Sequence, residues 1–116
     1  MRFERFAFGT IEVDGRVYEH DLVVDRGQLR KRKKGPSKPL RSRYGHTPLS
    51  PAEDIPWDCR RLIVGTGASA ALPVMEGVVL EAKRRGVELV PLPTSEAIER
   101  LMREPLDTNA ILHLTC

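Results

Sequence analysis

Hydrophobic residues alternate with polar ones in the N-terminal part of the chain, which is the period of a half-buried β-strand. Four residues carry the first alternation: Phe6, Phe8, Ile11 and Val13. The break near Gly9 is interpreted as a β-bulge. Asp14-Gly15 is a strong signal for a two-residue hairpin, and residues 17–24 return as a second strand. A charged third strand over residues 28–34 completes a predicted antiparallel β-meander.

In the second half of the chain, apolar runs alternate with apolar residues at helical spacing. A short helix is predicted to begin at Ser50, with Glu53 completing a capping box. The uninterrupted run Leu62–Val64 is typical of a strand covered on both faces of a parallel sheet. Helices and strands then alternate over residues 73–85, 87–90, 94–104 and 110–115. The predicted fold class is α/β: a mixed sheet in which the meander is followed by β-α-β-α-β, in one domain, residues 1–116.

The composition is that of an ordinary globular protein, with 41% hydrophobic and 30% charged residues. No apolar stretch approaches the roughly 20 residues that a membrane-spanning helix requires. The N-terminus carries charges where a signal peptide would need an apolar core. We therefore expect a cytoplasmic protein without membrane contact. The two cysteines, Cys59 and Cys116, are too few for a disulfide framework and are interpreted as structural thiols.

Positive charge is concentrated in residues 26–43, which we call the basic arm. The arm contains nine basic and no acidic residues, whereas the rest of the chain carries ten basic and sixteen acidic residues. Its five consecutive cations are candidates for contact with a partner: Arg30, Lys31, Arg32, Lys33 and Lys34. Nucleic-acid binding would use them to neutralise phosphates, but Tyr44 alone is available for base stacking. A solvated arm or a charged edge strand is the preferred interpretation, followed by contact with an acidic protein.

A Gly65-Thr66-Gly67 turn follows the central strand, and in open α/β sheets this strand end is the usual place for a ligand. Residues 65–70 match the dinucleotide pattern Gly-x-Gly-x-x-Gly/Ala, whose amides favour phosphate groups. The acidic residue that should hold a ribose about 20 residues later is missing, because residues 90–93 are Val-Pro-Leu-Pro. We therefore predict no nucleotide cofactor, and either a pocket for a smaller anion or simply a tight turn.

Four polar residues are further candidates for ligand contacts: Ser69, His46, His113 and Thr115. His113 and Thr115 share one face of the last strand, from which they could reach the turn. His46 lies in a loop, where polar residues are freer from packing duties. His113 and Cys116 fall on opposite faces, so no metal site is predicted. The nucleophile motif Gly-x-Ser-x-Gly is absent around Ser69, and no catalytic residue is assigned.

Five short motifs are spread over nearly the whole chain: residues 62–67, Pro93-Thr94, residues 112–116, residues 45–47 and Phe8-Gly9. Together they resemble the Mth938-like domain family. The resemblance implies a three-layer β/β/α fold with a mixed sheet. The family includes uncharacterised prokaryotic proteins, a mitochondrial factor for respiratory complex I assembly and a mammalian protein linked to adipocyte differentiation. No catalytic activity is established for it as a class, so the resemblance supplies no catalytic residues.

The sequence thus favours a non-catalytic binding or assembly module with a small pocket at the Gly65-Thr66-Gly67 strand end. Its partner would be a small anion or an unknown protein, and a monomer and a homodimer are equally compatible with the pattern. The first alternative is an enzyme acting on a small anionic substrate in that pocket. The second is nucleic-acid binding through the basic arm, which we expect to be weak and sequence-independent at about 0.15 M salt. Neither a cofactor nor a metal ion is expected.

Overall fold

The N-terminal meander forms a small antiparallel sheet of its own. The computed structural model describes residues Met1–Cys116. The small sheet has the order β1-β2-β3, with β1 at Phe3–Ala7, β2 at Thr10–Val13 and β3 at Arg16–Tyr18. The predicted hairpin is confirmed, because Asp14 and Gly15 join β2 to β3 with φ values of 51° and 80°.

Two details of the predicted meander are wrong. Gly9 does not form a bulge within one strand; with a φ of 85° it makes, together with Phe8, the turn between β1 and β2. The predicted strand over residues 17–24 is in fact two strands, because the chain leaves the small sheet after Tyr18 and enters a second sheet at Leu22. The break between them places Asp21 in the interior, where its carboxylate bonds to residues 113 and 114.

The main sheet contains the other five strands: β4 (Leu22–Asp25), β5 (Gln28–Lys31), β6 (Arg61–Gly65), β7 (Glu88–Leu92) and β8 (Thr108–Leu112). Their order in the sheet is β5-β4-β8-β6-β7. The central strand β6 is parallel to both β7 and β8, whereas β4 is antiparallel to both β8 and β5. The predicted mixed sheet is therefore confirmed, and the N-terminal half extends one of its edges.

Helices supply the remaining regular structure: a 3₁₀ helix (Gly35–Leu40), α1 (Arg41–Tyr44), α2 (Glu76–Arg85) and α3 (Thr94–Arg103). The order β6-α2-β7-α3-β8 confirms the predicted β-α-β-α-β half. Successive residues of β6 point to opposite faces of the sheet. Ile63 packs with α3 and the small sheet, whereas Leu62 and Val64 pack with α2. The central strand is thus buried on both faces, and the layers correspond to the expected β/β/α arrangement.

The connections depart further from the predictions than the strands do. No helix begins at Ser50, because Ser50 and Glu53 turn their side chains into a buried cluster with Ser37. Helix α2 begins at Glu76 rather than at Pro73, because residues 73–75 are extended and pair with Leu49, which donates to the Pro73 carbonyl and accepts from the Met75 amide. None of the helices is long and apolar enough to cross a membrane.

Candidate functional site

Residues 65–71, which we call the glycine loop, lie at the carboxyl end of the central strand β6. The main-chain amides of this loop point at oxygen atoms of the protein itself. Three of them bind the last two residues: Ala68 donates to the Thr115 carbonyl at 2.6 Å, and Ser69 and Ala71 donate to the main-chain oxygen of Cys116 at 3.3 and 2.8 Å. Amides that could have held a bound anion are therefore used to fix the end of the chain.

Glycine is required at position 67 because the two chain segments approach so closely. Gly67 has a φ of 107°, and a Cβ atom there would lie 2.2 Å from the carbonyl carbon of Cys116. The Gly67 amide donates to Oγ1 of Thr94 at 2.8 Å, and that hydroxyl donates to the His113 carbonyl at 2.6 Å. The Thr66 hydroxyl donates to the carbonyl oxygen at the end of β7. The strand end is thus closed by α3 on one side and by residues 113–116 on the other.

His113 follows β8 and links two other side chains. Its Nδ1 lies 2.8 Å from Oδ2 of Asp21, and its Nε2 lies 3.2 Å from Oγ1 of Thr115. An ionised carboxylate can only accept hydrogen bonds, so Nδ1 carries the proton that is shared with Asp21. A neutral imidazole in this tautomer presents its lone pair at Nε2, towards the Thr115 hydroxyl. The three side chains form one continuous hydrogen-bonded chain.

Asp21 is fixed by two further donors. The Leu114 amide donates to Oδ1 and the Arg32 guanidinium donates to Oδ2, both at 2.9 Å. Burial would raise the pKa of the Asp21 carboxyl, but the hydrogen bond and electrostatic attraction of His113, followed by Leu114 and Arg32, lower that pKa from 3.8 to about 2. Asp21 is therefore a carboxylate at neutral pH and a fixed acceptor for the imidazole.

Arg32 is the centre of a buried charged cluster behind Asp21. Its side chain is only 1% exposed, and its Nε and Nη2 atoms each lie 2.8 Å from a carboxylate oxygen of Glu53. Burial would lower the pKa of the Arg32 guanidinium, but Glu53 and Asp21 raise it above its ordinary value. Arg32 is therefore not part of any surface that could contact a partner, in contrast to the sequence-based hypothesis. Strand β5 ends at Lys31, directly before this inward turn.

A polar cavity of about 200 Å³ opens beside His113, and we call it the His113 cavity. Seven residues line it: Lys34, Arg41, His46, Thr47, His113, Thr115 and Cys116. Three of the predicted ligand contacts, His46, His113 and Thr115, thus come together from distant parts of the chain. The lining contains two cationic side chains, from Lys34 and Arg41, and no acidic side chain. Such a lining is electrostatically suited to an anion.

The other predicted ligand contacts lie outside this cavity. Gly65, Thr66 and Gly67 are buried under the contacts that close the glycine loop. The side chain of Ser69 is exposed and does not line the cavity. No group of three or more histidine, cysteine or acidic residues is arranged to hold a metal ion.

The basic arm divides into paired and unpaired cations. Arg26 and Arg30 form ion pairs with Asp25 and with acidic residues 54 and 58, and Arg32 is buried with its two carboxylates. Six cations of the arm are exposed and have no acidic partner: Lys31, Lys33, Lys34, Lys38, Arg41 and Arg43. Only Lys34 and Arg41 of these face the His113 cavity.

Sequence reasoning missed Asp21, Glu53 and Arg41 as parts of this region. One local signal was present for Asp21, which directly precedes the apolar run Leu22–Val24 and was therefore a candidate for burial. Glu53 gave no such signal, because its partner Arg32 lies 21 positions away. Arg41 belongs to α1, a helix that the sequence pattern did not predict.

The chain packs a small antiparallel sheet on a mixed sheet that has helices on both faces, and solved structures share this architecture. The chain is 27% identical to a conserved hypothetical protein, PH1505, from Pyrococcus horikoshii OT3, over 100% of both chains and with a TM-score of 0.80. It is 26% identical to MT938, covering 98% of this chain and 97% of that one, with a TM-score of 0.73. A Mth938-like domain protein of Bordetella pertussis has the same fold at 18% identity, covering 97% of this chain and 84% of that one, with a TM-score of 0.61.

These similarities confirm the resemblance to Mth938-like proteins drawn from the sequence motifs, and the chain has the Mth938-like fold. No protein-family model matches the sequence, and no curated protein matches it.

Proposed function

We propose that this protein is a binding module for a small anion, which it holds in the His113 cavity. The observation that carries the proposal is the lining itself: two unpaired cations and two imidazoles converge on one cavity that contains no acidic side chain. A concave surface lined by charge of one sign attracts ions of the opposite sign. An anion would supply that partner for Lys34 and Arg41.

The buried carboxylate beside His113 does not fill this role. The Asp21 carboxylate accepts hydrogen bonds from His113, Leu114 and Arg32. These donors compensate the negative charge of Asp21 on the interior side of His113. Asp21 does not line the cavity. The positive charge facing the cavity remains available to a ligand.

The size of the cavity limits the ligand. Pockets for drug-sized molecules measure about 300–1,000 Å³, whereas the His113 cavity measures about 200 Å³. A phosphate, a sulfate or a carboxylate with a few carbon atoms would fit. The hydroxyls of Thr47 and Thr115 would add neutral hydrogen bonds to the charged contacts.

Both sheets are proposed to act as one domain, residues 1–116. Phe3, Ile11 and Val13 of the small sheet pack in the same apolar cluster as Ile63 of the main sheet. The cavity needs both sheets. Asp21 lies after β3, the last strand of the small sheet, and it is hydrogen-bonded to His113, which follows β8 of the main sheet.

Calorimetric titration with inorganic phosphate, succinate and acetate tests the proposal. We expect saturable binding of at least one of these anions, and at least a tenfold loss of affinity in the double variant Lys34→Gln/Arg41→Gln. The matched control is Lys33→Gln/Lys38→Gln, which removes the same charge from exposed neighbours outside the cavity. Equal losses in the two double variants, or no binding of any anion by the parent protein, would contradict the proposal.

A further inference from the structure

We propose that the His113 cavity hydrolyses small esters that carry a negative charge, with Thr115 as the nucleophile and His113 as the general base. The inference rests on the proposed function, since the anionic part of the ester is held by the cations of the same cavity. It adds a reaction to the binding event. The observation behind it is the hydrogen-bonded chain Asp21–His113–Thr115, which ends at the cavity.

The order of groups in this chain is that of an activated hydroxyl. A hydroxyl nucleophile needs a base within hydrogen-bonding reach, and the base needs a third group that fixes its orientation. Nε2 of His113 lies 3.2 Å from Oγ1 of Thr115, and Nδ1 lies 2.8 Å from Oδ2 of Asp21. The looser of the two contacts is the one to the nucleophile, which commonly tightens only when substrate binds.

Asp21 is a positioning residue in this arrangement and does not contact the substrate. Its bonds to the Leu114 amide and to Arg32 prevent rotation of the carboxylate. The carboxylate therefore holds the imidazole in the tautomer that leaves Nε2 free to take a proton. Arg32 also forms a buried ion pair with Glu53, so the guanidinium that binds Asp21 is itself fixed and shielded from solvent.

The cavity supplies the remaining requirements. Lys34 and Arg41 line it together with Thr115, so one cation can hold the anionic group of the substrate while the other stabilises charge on the carbonyl oxygen. The Thr115 side chain is partly exposed, as a nucleophile must be. The rest of the substrate would extend from the open side of the cavity.

The reaction is balanced with water as the only co-reactant. Thr115 Oγ1 attacks the acyl carbon and gives its proton to His113 Nε2. The bond from the acyl carbon to the alkoxy oxygen breaks, and the leaving alcohol takes that proton, which leaves an acyl ester on Thr115. Water then attacks this ester and gives a proton to His113, which returns it to Thr115 as the carboxylic acid leaves. No electron donor or acceptor is needed.

The test uses mono(4-nitrophenyl) succinate as the anionic ester and 4-nitrophenyl acetate as the neutral one. We expect release of nitrophenol from the succinate ester with at least a tenfold preference in kcat/KM over the acetate. Thr115→Val should reduce kcat by at least about 100-fold, because it removes the nucleophile. Thr115→Ser should retain activity, and Thr108→Val serves as the matched control because it makes the same change at the other end of β8, outside the cavity lining.

Two further readouts separate catalysis from structure. Peptide mass spectrometry after rapid acid quenching should find a succinyl group on Thr115. Asp21→Asn should lower kcat and alter its pH profile, while KM changes little. If Thr115→Val retains the activity, or if the succinyl group lies on another residue, the inference is overturned. If an anion binds in the cavity but the succinate ester is not hydrolysed, this inference fails while the proposed function stands; if none of the anions binds, both fail.

Discussion

Two regions at the same end of the main sheet are suited to anions, and they differ in whether their donors are free. The glycine loop presents several main-chain amides, but Thr94, Thr115 and Cys116 already accept their hydrogen bonds. The His113 cavity presents two cations that have no acidic partner. The sequence motif marked the first region, whereas the free donors are in the second. A donor-rich segment is a binding site only where the protein does not use the donors itself.

The same contrast occurs within the basic arm. Arg32 and Lys34 are only two positions apart, yet Arg32 is buried between two carboxylates and Lys34 lies on the cavity. Alternation along an extended segment puts both residues on one face, so periodicity alone does not separate them. The difference arises because the extended strand ends at Lys31 and the chain then enters the 3₁₀ helix.

The largest expected effect is the loss of the buried guanidinium. Arg32→Met leaves the carboxylates of Asp21 and Glu53 buried without their partner, and removing one member of a buried ion pair costs about 3–5 kcal/mol. Lys33→Met is the control, since Lys33 is exposed and should change stability by less than about 0.5 kcal/mol. Urea unfolding measures both. A loss below about 1 kcal/mol in Arg32→Met would contradict the structural role assigned to this cation.

The closed state of the glycine loop is tested by Gly67→Ala. The new Cβ would overlap the main chain of Cys116, and the positive φ adds strain, so we expect a loss of about 3 kcal/mol. Gly86→Ala provides the comparison: Gly86 also has a positive φ, but no atom lies within 4 Å of its Cβ position. The cost there should be about 1 kcal/mol. If the two variants lose the same free energy of unfolding, in thermal or urea unfolding, the glycine loop is not packed against the end of the chain.

Acid stability tests the fixed carboxylate of Asp21. Because folding lowers the pKa of Asp21 from 3.8 to about 2, its contribution is complete above pH 3.8 and is lost as the pH falls towards 2. The shift corresponds to about 2 kcal/mol. The stability difference between the parent protein and Asp21→Asn should therefore shrink by about this amount when urea unfolding is repeated between pH 5 and pH 2. A difference that stays constant with pH would contradict the assignment.

Much of the fold could be predicted because its signals are local. The run Leu62–Val64 indicated a strand buried on both faces, and Asp14-Gly15 indicated a hairpin. The split of residues 17–24 between two sheets could not be predicted in this way, because both halves carry strand patterns and only the choice of neighbouring strand differs. Helix α2 starts late for a similar reason, since residues 73–75 pair with Leu49, which is distant in the sequence.

The site was less predictable than the fold. His113 and Thr115 were predicted to share a face, and their side chains are indeed hydrogen-bonded. The partner of His113 is Asp21, 92 positions away in the sequence, and no local pattern connects the two. The division of the basic arm into paired and free cations likewise depends on acidic residues that lie elsewhere in the chain.

The smallest expected effect concerns nucleic acid. With six unpaired cations in the arm, the slope of log affinity against log salt for duplex DNA should be no steeper than about −5. Lys31→Gln/Lys33→Gln should reduce that slope by about 2, and binding of the parent protein at about 0.15 M salt should be weak and independent of sequence. Fluorescence anisotropy at several salt concentrations measures this. Sub-micromolar affinity at that salt would overturn the preference for a small anion over nucleic acid.

The most direct test of the central claim is an NMR titration with inorganic phosphate that follows the imidazoles of His46 and His113 together with the amides of Ser69 and Ala71. If the cavity is the anion site, the two imidazoles shift with one common saturation curve, and the shifts disappear in Lys34→Gln/Arg41→Gln. The loop amides, which already donate to Cys116, keep their hydrogen-bonded positions. Saturable shifts confined to the loop amides, with both imidazoles unchanged, would contradict the account.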